Sequence, residues 1–183
     1  MQREQTGITG EFWFYSQLHR LGYESYITLG NTKSIDIVVK LNDKKGTTLS
    51  FDVKSKLSFG GSFQYLNIPI KENHFVVFIN LKTIKEVSGK RRFTGEPVCY
   101  IVESVNLKHI ASDWKSSKDT TKGYGFRDNL LWYLKSKDIT SITKTNITDF
   151  KNRHGIIDDI DFTKYNEIIL SLEDFENRYY ESK

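Results

Sequence analysis

The stretch that decides the fold reads Ile35-Asp36-Ile37-Val38-Val39-Lys40-Leu41-Asn42-Asp43-Lys44-Lys45-Gly46-Thr47-Thr48-Leu49-Ser50-Phe51-Asp52-Val53-Lys54-Ser55. Two β-rich runs, Ser34 to Leu41 and Thr47 to Ser55, flank a polar segment ending in glycine, Asn42 to Gly46, and this pattern predicts an antiparallel hairpin. Side chains alternate along a strand, so Asp52 and Lys54 share one side while Val53 packs on the other. Asp36 falls on the adjacent strand, inside an otherwise apolar run. A carboxylate there is costly to bury unless it is paired or bound to a cation, and two of them on neighbouring strands need a reason. A hard divalent cation such as Mg²⁺ supplies one, because it takes oxygen ligands and is held by one or two carboxylates together with waters and substrate phosphates.

Working outward, Gly7 to Gly22 has helical spacing, with Ile8, Phe12, Tyr15 and Leu18 or His19 as its apolar face and Gly22 as its terminator. Glu11 lies on this helix. Further strands are expected at Tyr23 to Leu29, His74 to Leu81 and Pro97 to Val102, with the two prolines of the chain, Pro69 and Pro97, near strand starts where they are tolerated. Val105 to Trp114 and Asp128 to Lys135 read as short helices, whose Trp114, Leu131, Trp132 and Leu134 would pack on the sheet. In the last helix Tyr165, Ile168, Ile169, Leu172, Phe175 and Tyr179 form one apolar stripe, which caps the domain or meets a partner protein or a second copy. The expectation is an α/β protein: a mixed central sheet of about five strands flanked by helices. The whole chain, residues 1–183, makes one domain, with 7–103 as its core and 104–183 as a helical C-terminal extension.

The composition narrows the function. At 183 residues the chain suits one domain of the usual ~100–200 residues. Its longest unbroken apolar run, Phe75 to Ile79, is far short of the ~20 residues that span a bilayer. The first ten residues lack a signal-peptide core, so a cytoplasmic protein without membrane contact is expected. One cysteine, Cys99, excludes an internal disulfide and any zinc site needing two thiolates. Charge is unevenly spread: residues 155–183 hold eight acids against three bases, leaving 24 bases and 15 acids in residues 1–154. A body this basic suits a polyanion, of which nucleic acid is the commonest. Phosphate-binding loops, His-Glu-x-x-His and Gly-x-Ser-x-Gly elbows are absent. His19, His74, His109 and His154 lack metal-ligand spacing and read as surface or boundary residues.

Glu11, Asp36 and Asp52-x-Lys54 on an α-β-β-β order resemble the PD-(D/E)xK nuclease superfamily, whose core is restriction-endonuclease-like. Gly10-Glu11 at the helix start is similar to small Holliday-junction-resolvase-like and uncharacterised bacterial members. The resemblance covers Gly7 to Leu81 and extends loosely to Val102. It implies Mg²⁺-dependent hydrolysis of phosphodiesters in DNA, with Mn²⁺ as a substitute. Asp36 and Asp52 would then ligate the metal, Glu11 would reach it directly or through water, and the Val53 carbonyl would complete the set. Lys54 would act on the attacking water and on phosphate charge. Ile35 stands where the family name has proline, a common substitution.

The site residues are accordingly expected to converge on one edge of the sheet, facing the first helix. Lys56 on the same strand face, and Lys90, Arg91 and Arg92 in a connection that also holds Lys82 and Lys85, are candidates for contact with a nucleic-acid backbone. Gln64 lies where some relatives carry a helical glutamine near the scissile group. The acidic last helix is expected to lie away from any phosphate track. Two other functions fit parts of the pattern. One is a nucleic-acid-binding or protein-interaction module that keeps the site without using it. The other is a metal-free carboxylate-pair hydrolase of the glycosidase kind, with Glu11 and Asp36 as acid and base. An exposed Asp52–Lys54 ion pair would account for Lys54 but leaves Asp36 unexplained.

Overall fold

The structure, a computed structural model, describes residues 3–28, 35–57, 62–65, 69–85, 91–107, 124–127 and 167–182. Helix α1 (Arg3–Arg20) leads into β1 (Glu24–Ile27), β2 (Ile37–Lys40) and β3 (Thr48–Lys56). After β4 (Ser62–Tyr65) come β5 (His74–Asn80), β6 (Thr83–Lys85), β7 (Arg91–Phe93) and β8 (Val98–Glu103), then β9 (Tyr124–Arg127), β10 (Ile169–Leu170) and helix α2 (Leu172–Tyr179). Six strands form the main sheet in the order β1-β2-β3-β5-β8-β10. It is mixed: β3 and β5 run parallel and every other neighbouring pair is antiparallel. All five expected strands are in it. Two small antiparallel pairs, β4 with β9 and β6 with β7, lie outside it.

The hairpin between β2 and β3 forms as expected. Asp43 Oδ1 accepts the Thr47 N–H at 2.8 Å, Gly46 N–H donates to the Asp43 carbonyl at 3.1 Å, and Gly46 takes φ 62°. That left-handed conformation is the one glycine adopts without penalty. Helix α1 ends in a Schellman arrangement, with Tyr23 N–H donating to the Leu18 carbonyl and Gly22 N–H to that of His19, both at 3.0 Å, and Gly22 at φ 88°.

The apolar face of α1 differs from the expected stripe. Phe14 and Leu18 are fully buried and Thr6 and Gly10 are buried in line with them, whereas Ile8 is 52% and Phe12 56% exposed. Small residues at 6 and 10 let the helix sit close to the sheet, and this contact outweighs the larger apolar side chains one face over. Phe14 packs edge-on against Phe51, which also meets Phe75 and Phe175, so α1 and α2 cover the same face. The core there is built from Ile37, Val39, Leu49, Phe51, Val53, Phe75, Val77, Ile79 and Ile101. On the other face Val76, Phe78, Tyr100 and Val102 are buried as well, as befits central strands of a sheet covered on both sides.

The expected last helix is interrupted. Ile169 and Leu170 pair with Val102 and Ile101 of β8, and α2 starts afresh behind a capping box in which Ser171 and Asp174 bond reciprocally. The apolar Ile169 and Leu170 complete a sheet edge, and Ser171 then nucleates the helix. Ile169, Leu170 and Phe175 therefore belong to the core, and the division at 103/104 does not separate a core from a purely helical extension. Near the C-terminus the Ser182 carbonyl accepts the Asn42 N–H at 2.8 Å, tying this end to the β2–β3 hairpin. The expected helices at 105–114 and 128–135, and their Trp114, Leu131, Trp132 and Leu134, lie outside the described residues beyond Leu107. Among the described residues no helix is long and apolar enough to cross a membrane.

Candidate active site

Strand β2 is shorter than β3, and the difference makes a notch. The β2–β3 register runs from Lys40↔Thr48 to Ile37↔Phe51, so β3 continues past the start of β2 while its other edge stays paired with β5 from Ser50 to Lys56. Asp36 sits at the opening. Its N–H donates to the Phe51 carbonyl at 2.8 Å, yet its carbonyl accepts the Thr28 N–H at 2.9 Å. In a regular antiparallel strand both groups of one residue bond to the same neighbour, so the backbone turns at Asp36. Its side chain fills the next ladder position instead: Oδ2 accepts the Val53 N–H at 2.7 Å. By the same alternation the Val53 carbonyl is directed into the notch.

Helix α1 docks at this end of β3. A Cβ built on Gly10 would stand 2.3 Å from the Ser55 Cβ, and Ser55 Oγ donates to the Thr6 carbonyl at 2.6 Å. Gly10 is therefore required for the close approach that brings Glu11 to the notch.

Phe51, Val53 and Ser55 face α1, so Asp52 and Lys54 face the other way. This corrects the expectation that the site residues face the first helix: Asp36 lies edge-on in the notch, Asp52 and Lys54 lie on the far face, and Glu11 approaches from the near one. The Lys54 ammonium pairs with Asp52 Oδ1. Asp52 is 1% exposed and Lys54 29%, and among the described residues Asp52 Oδ2 has no hydrogen-bond partner.

The four groups act on one another. Burial pushes the Asp36 carboxyl up to about 6, opposed by the Val53 N–H, with Asp52 and Glu11 raising it further and Lys54 lowering it. Burial also raises Glu11, against the pull of Lys54 and with a further push from Asp52. The notch therefore concentrates negative charge that one lysine does not balance, a setting that favours a cation. The donor set of the Asp36 and Asp52 carboxylates and the Val53 carbonyl is all hard oxygen and fits Mg²⁺ or Mn²⁺ in kind. Among the described residues no three His, Cys, Asp or Glu side chains are grouped closely enough to hold a metal ion together, so any such site has two carboxylates, the carbonyl and waters.

Sequence reasoning missed His74. It is fully buried on β5, contrary to a surface or boundary position, and is the register partner of Ser50. Its Nδ1 is 2.8 Å from Ser50 Oγ, and among the described residues its Nε2 has no partner. Burial lowers its pKa, helped by Lys71 and Lys54 and opposed by Asp52. The available signal was parity: His74 precedes an apolar strand and falls on the same face as Val76 and Phe78.

Among the basic candidates, Lys56 ends β3, and β7 pairs Arg91 with Lys85 and Arg92 with Ile84. Lys90 lies outside the described residues. Gln64 is on β4, opposite Gly125 of β9. Helix α2 lies on the face opposite Asp52 and Lys54, with Phe175 against Phe51 and Phe75. No family model, curated protein or solved structure matches the chain.

Proposed function

We propose that the chain is a divalent-metal-dependent phosphodiester hydrolase acting on DNA, built on a restriction-endonuclease-like core of the PD-(D/E)xK type. The observation that carries this reading is the notch: Asp36 is bound to the Val53 N–H beside Asp52 and Lys54, with Glu11 delivered by the Gly10 contact. Asp36 and Asp52 would hold Mg²⁺ or Mn²⁺, which when bound would supply an activated water and offset charge on the phosphate. Asp36 is fixed for this by its bond to Val53. Lys54 changes partner: its ammonium, now on Asp52, turns to the phosphate oxygens and steadies the charge that develops on them. Glu11 adds negative charge at the opening and holds a water there. The basic residues of the first 154 positions would attract the polyanion.

A second reading has one observation in its favour. The Asp52–Lys54 pair is closed on itself and no three-ligand group exists among the described residues, which suits a nucleic-acid-binding or protein-interaction module that has kept the fold without the chemistry.

Cleavage of single-stranded, duplex and branched DNA, with Mg²⁺, with Mn²⁺ and with chelator, separates the two. Metal-dependent cleavage is expected, with Asp52→Ala losing metal binding and cleavage together. Lys54→Ala should bind metal as well as the parent yet cleave on the order of 10²–10³ more slowly, by analogy with loss of an oxyanion donor. Parental cleavage by Lys54→Ala would reduce the lysine to an ion-pair partner, and binding of DNA without cleavage under any metal would select the module. Cleavage of DNA that persists in chelator would overturn the metal dependence, and hydrolysis of a glycoside in chelator, with no action on DNA, would select the carboxylate-pair hydrolase.

A further inference from the structure

The buried face that carries Asp52 holds a second polar pair that the proposed chemistry does not use. Ser50 and His74 are register partners on adjacent parallel strands, and Asp52 is the next residue of β3 on the same face. Ser50 has one hydroxyl proton and two acceptors in reach, His74 Nδ1 at 2.8 Å and the Asn73 carbonyl at 3.4 Å. The second exceeds the ~2.5–3.0 Å of an ordinary O–H···O bond, so Nδ1, at the shorter distance, is the stronger acceptor for the proton. A neutral imidazole that accepts at Nδ1 carries its hydrogen on Nε2. That Nε2–H is a buried donor without a partner among the described residues, and Asp52 Oδ2 is a buried acceptor in the same condition. Buried polar groups are almost always satisfied, and a donor and an acceptor orphaned on one face of neighbouring strands are complementary.

We propose that His74 is a positioning residue for Asp52, its Nε2–H directed at Asp52 Oδ2 across at most one buried water and its ring fixed by Ser50. This deepens the nuclease reading, on which it rests for the role of Asp52. The Lys54 ammonium holds only Oδ1. When it moves to a phosphate, the contact from His74 is what keeps the carboxylate in place, as outer partners of metal-binding carboxylates do.

The test uses the full chain. Imidazole ¹H–¹⁵N spectra without metal are expected to give His74 as the Nε2–H tautomer, with a slowly exchanging Nε2 proton whose signal shifts in Asp52→Asn and stays in place in Glu11→Gln. An Nδ1–H tautomer, or a signal unmoved by Asp52→Asn, overturns the proposal. Mn²⁺ titration and cleavage then read the role. His74→Leu should lose about 10–100-fold in metal affinity or rate at an unchanged Tm, and His74→Gln, which places an amide donor near the Nε2 position, should recover to within a few-fold. Equal losses in both variants overturn the positioning role. If His74→Leu fails to fold, His74→Gln and the tautomer decide it: a His74→Gln loss as deep as that of Asp52→Ala counts against, near-parental values count for. The expected tautomer and Asp52 shift in a parent that never cleaves would leave the His74–Asp52 pairing standing and overturn the nuclease reading alone.

Discussion

On one side of β3, Phe51 lies against aromatic rings from α1, β5 and α2 and Val53 joins the same core; on the other, buried Ser50 and Asp52 and half-buried Lys54 share a face with His74. The first side is made of groups that gain by leaving water. The second holds groups that each lose by it unless a partner is supplied. A strand stable on the first side can carry costly buried polar groups on the second, so substitutions on the two sides should separate stability from activity.

The largest effect is expected on the apolar side. Phe175→Ala removes the ring that meets Tyr23, Phe51, Phe75 and Tyr179, and should cost about 3–5 kcal/mol in chemical denaturation, a large part of the ~5–15 kcal/mol of an ordinary domain. On the polar side Asp52→Asn, of the same shape, leaves one buried donor without an acceptor and should cost about 1–3 kcal/mol, less than Phe175→Ala, while ending metal-dependent cleavage. A loss of stability in Asp52→Asn equal to that of Phe175→Ala would erase the distinction between the faces.

Next in size is the helix contact. Gly10→Ala places a methyl group 2.3 Å from the Ser55 Cβ, and overpacking of this kind costs about 1–3 kcal/mol. Ser55→Gly in the same chain should return part of it, and a double-mutant cycle by denaturation measures the coupling. Additive losses would mean that the helix moves away freely and that Gly10 does not set its distance.

Much of this was legible before any coordinates. Alternation through Asp52-Val53-Lys54 and the Asn42 to Gly46 turn located β2, β3 and the proposed site residues, because a half-buried strand and a glycine turn are local signals. The side of the sheet facing α1 was not legible: Ile8 and Phe12 are the larger apolar residues, and only the tertiary contact of Gly10 with Ser55 reveals that the helix packs through its small ones. β10 was hidden for a similar reason, since Ile169 and Leu170 fit a helical stripe as well as a strand until β8 supplies the partner. His74 offered only its parity with Val76 and Phe78, because its partner Ser50 lies 24 residues away.

Asp36 offers a smaller and pH-dependent effect. Its carboxyl is raised in the folded chain from 3.8 to about 6, so the folded state holds the proton more tightly than the unfolded one. Stability should be greatest below the lower value and fall as pH rises toward the upper one. Asp36→Asn, which keeps an acceptor for the Val53 N–H, should flatten that slope in denaturation curves between pH 4 and 6.5. A cation at the notch favours the ionised form, so Mn²⁺ should shift the fall to lower pH. An unchanged slope in Asp36→Asn would mean that another group titrates.

The smallest effect is expected at β7 (Arg91–Phe93), outside the main sheet. Arg91→Ala and Arg92→Ala should each lower the dependence of log Kd for DNA on log salt by about 0.9 if that residue meets a phosphate. A parental slope in both would assign β7 to solvent.

The placement of Phe175 over Phe51 and Phe75 also sets a schedule. A ribosome adding about 5–20 residues per second needs roughly 6–25 s to travel from Phe51 to Phe175. Throughout that interval the hairpin with the proposed site has been made but lacks the ring that covers it and the Ser182 carbonyl that ties down Asn42. The nascent chain thus carries an aromatic surface that stays open until Phe175 reaches it. A chain made in this order holds its proposed site on an incompletely covered strand until Phe175 has been added.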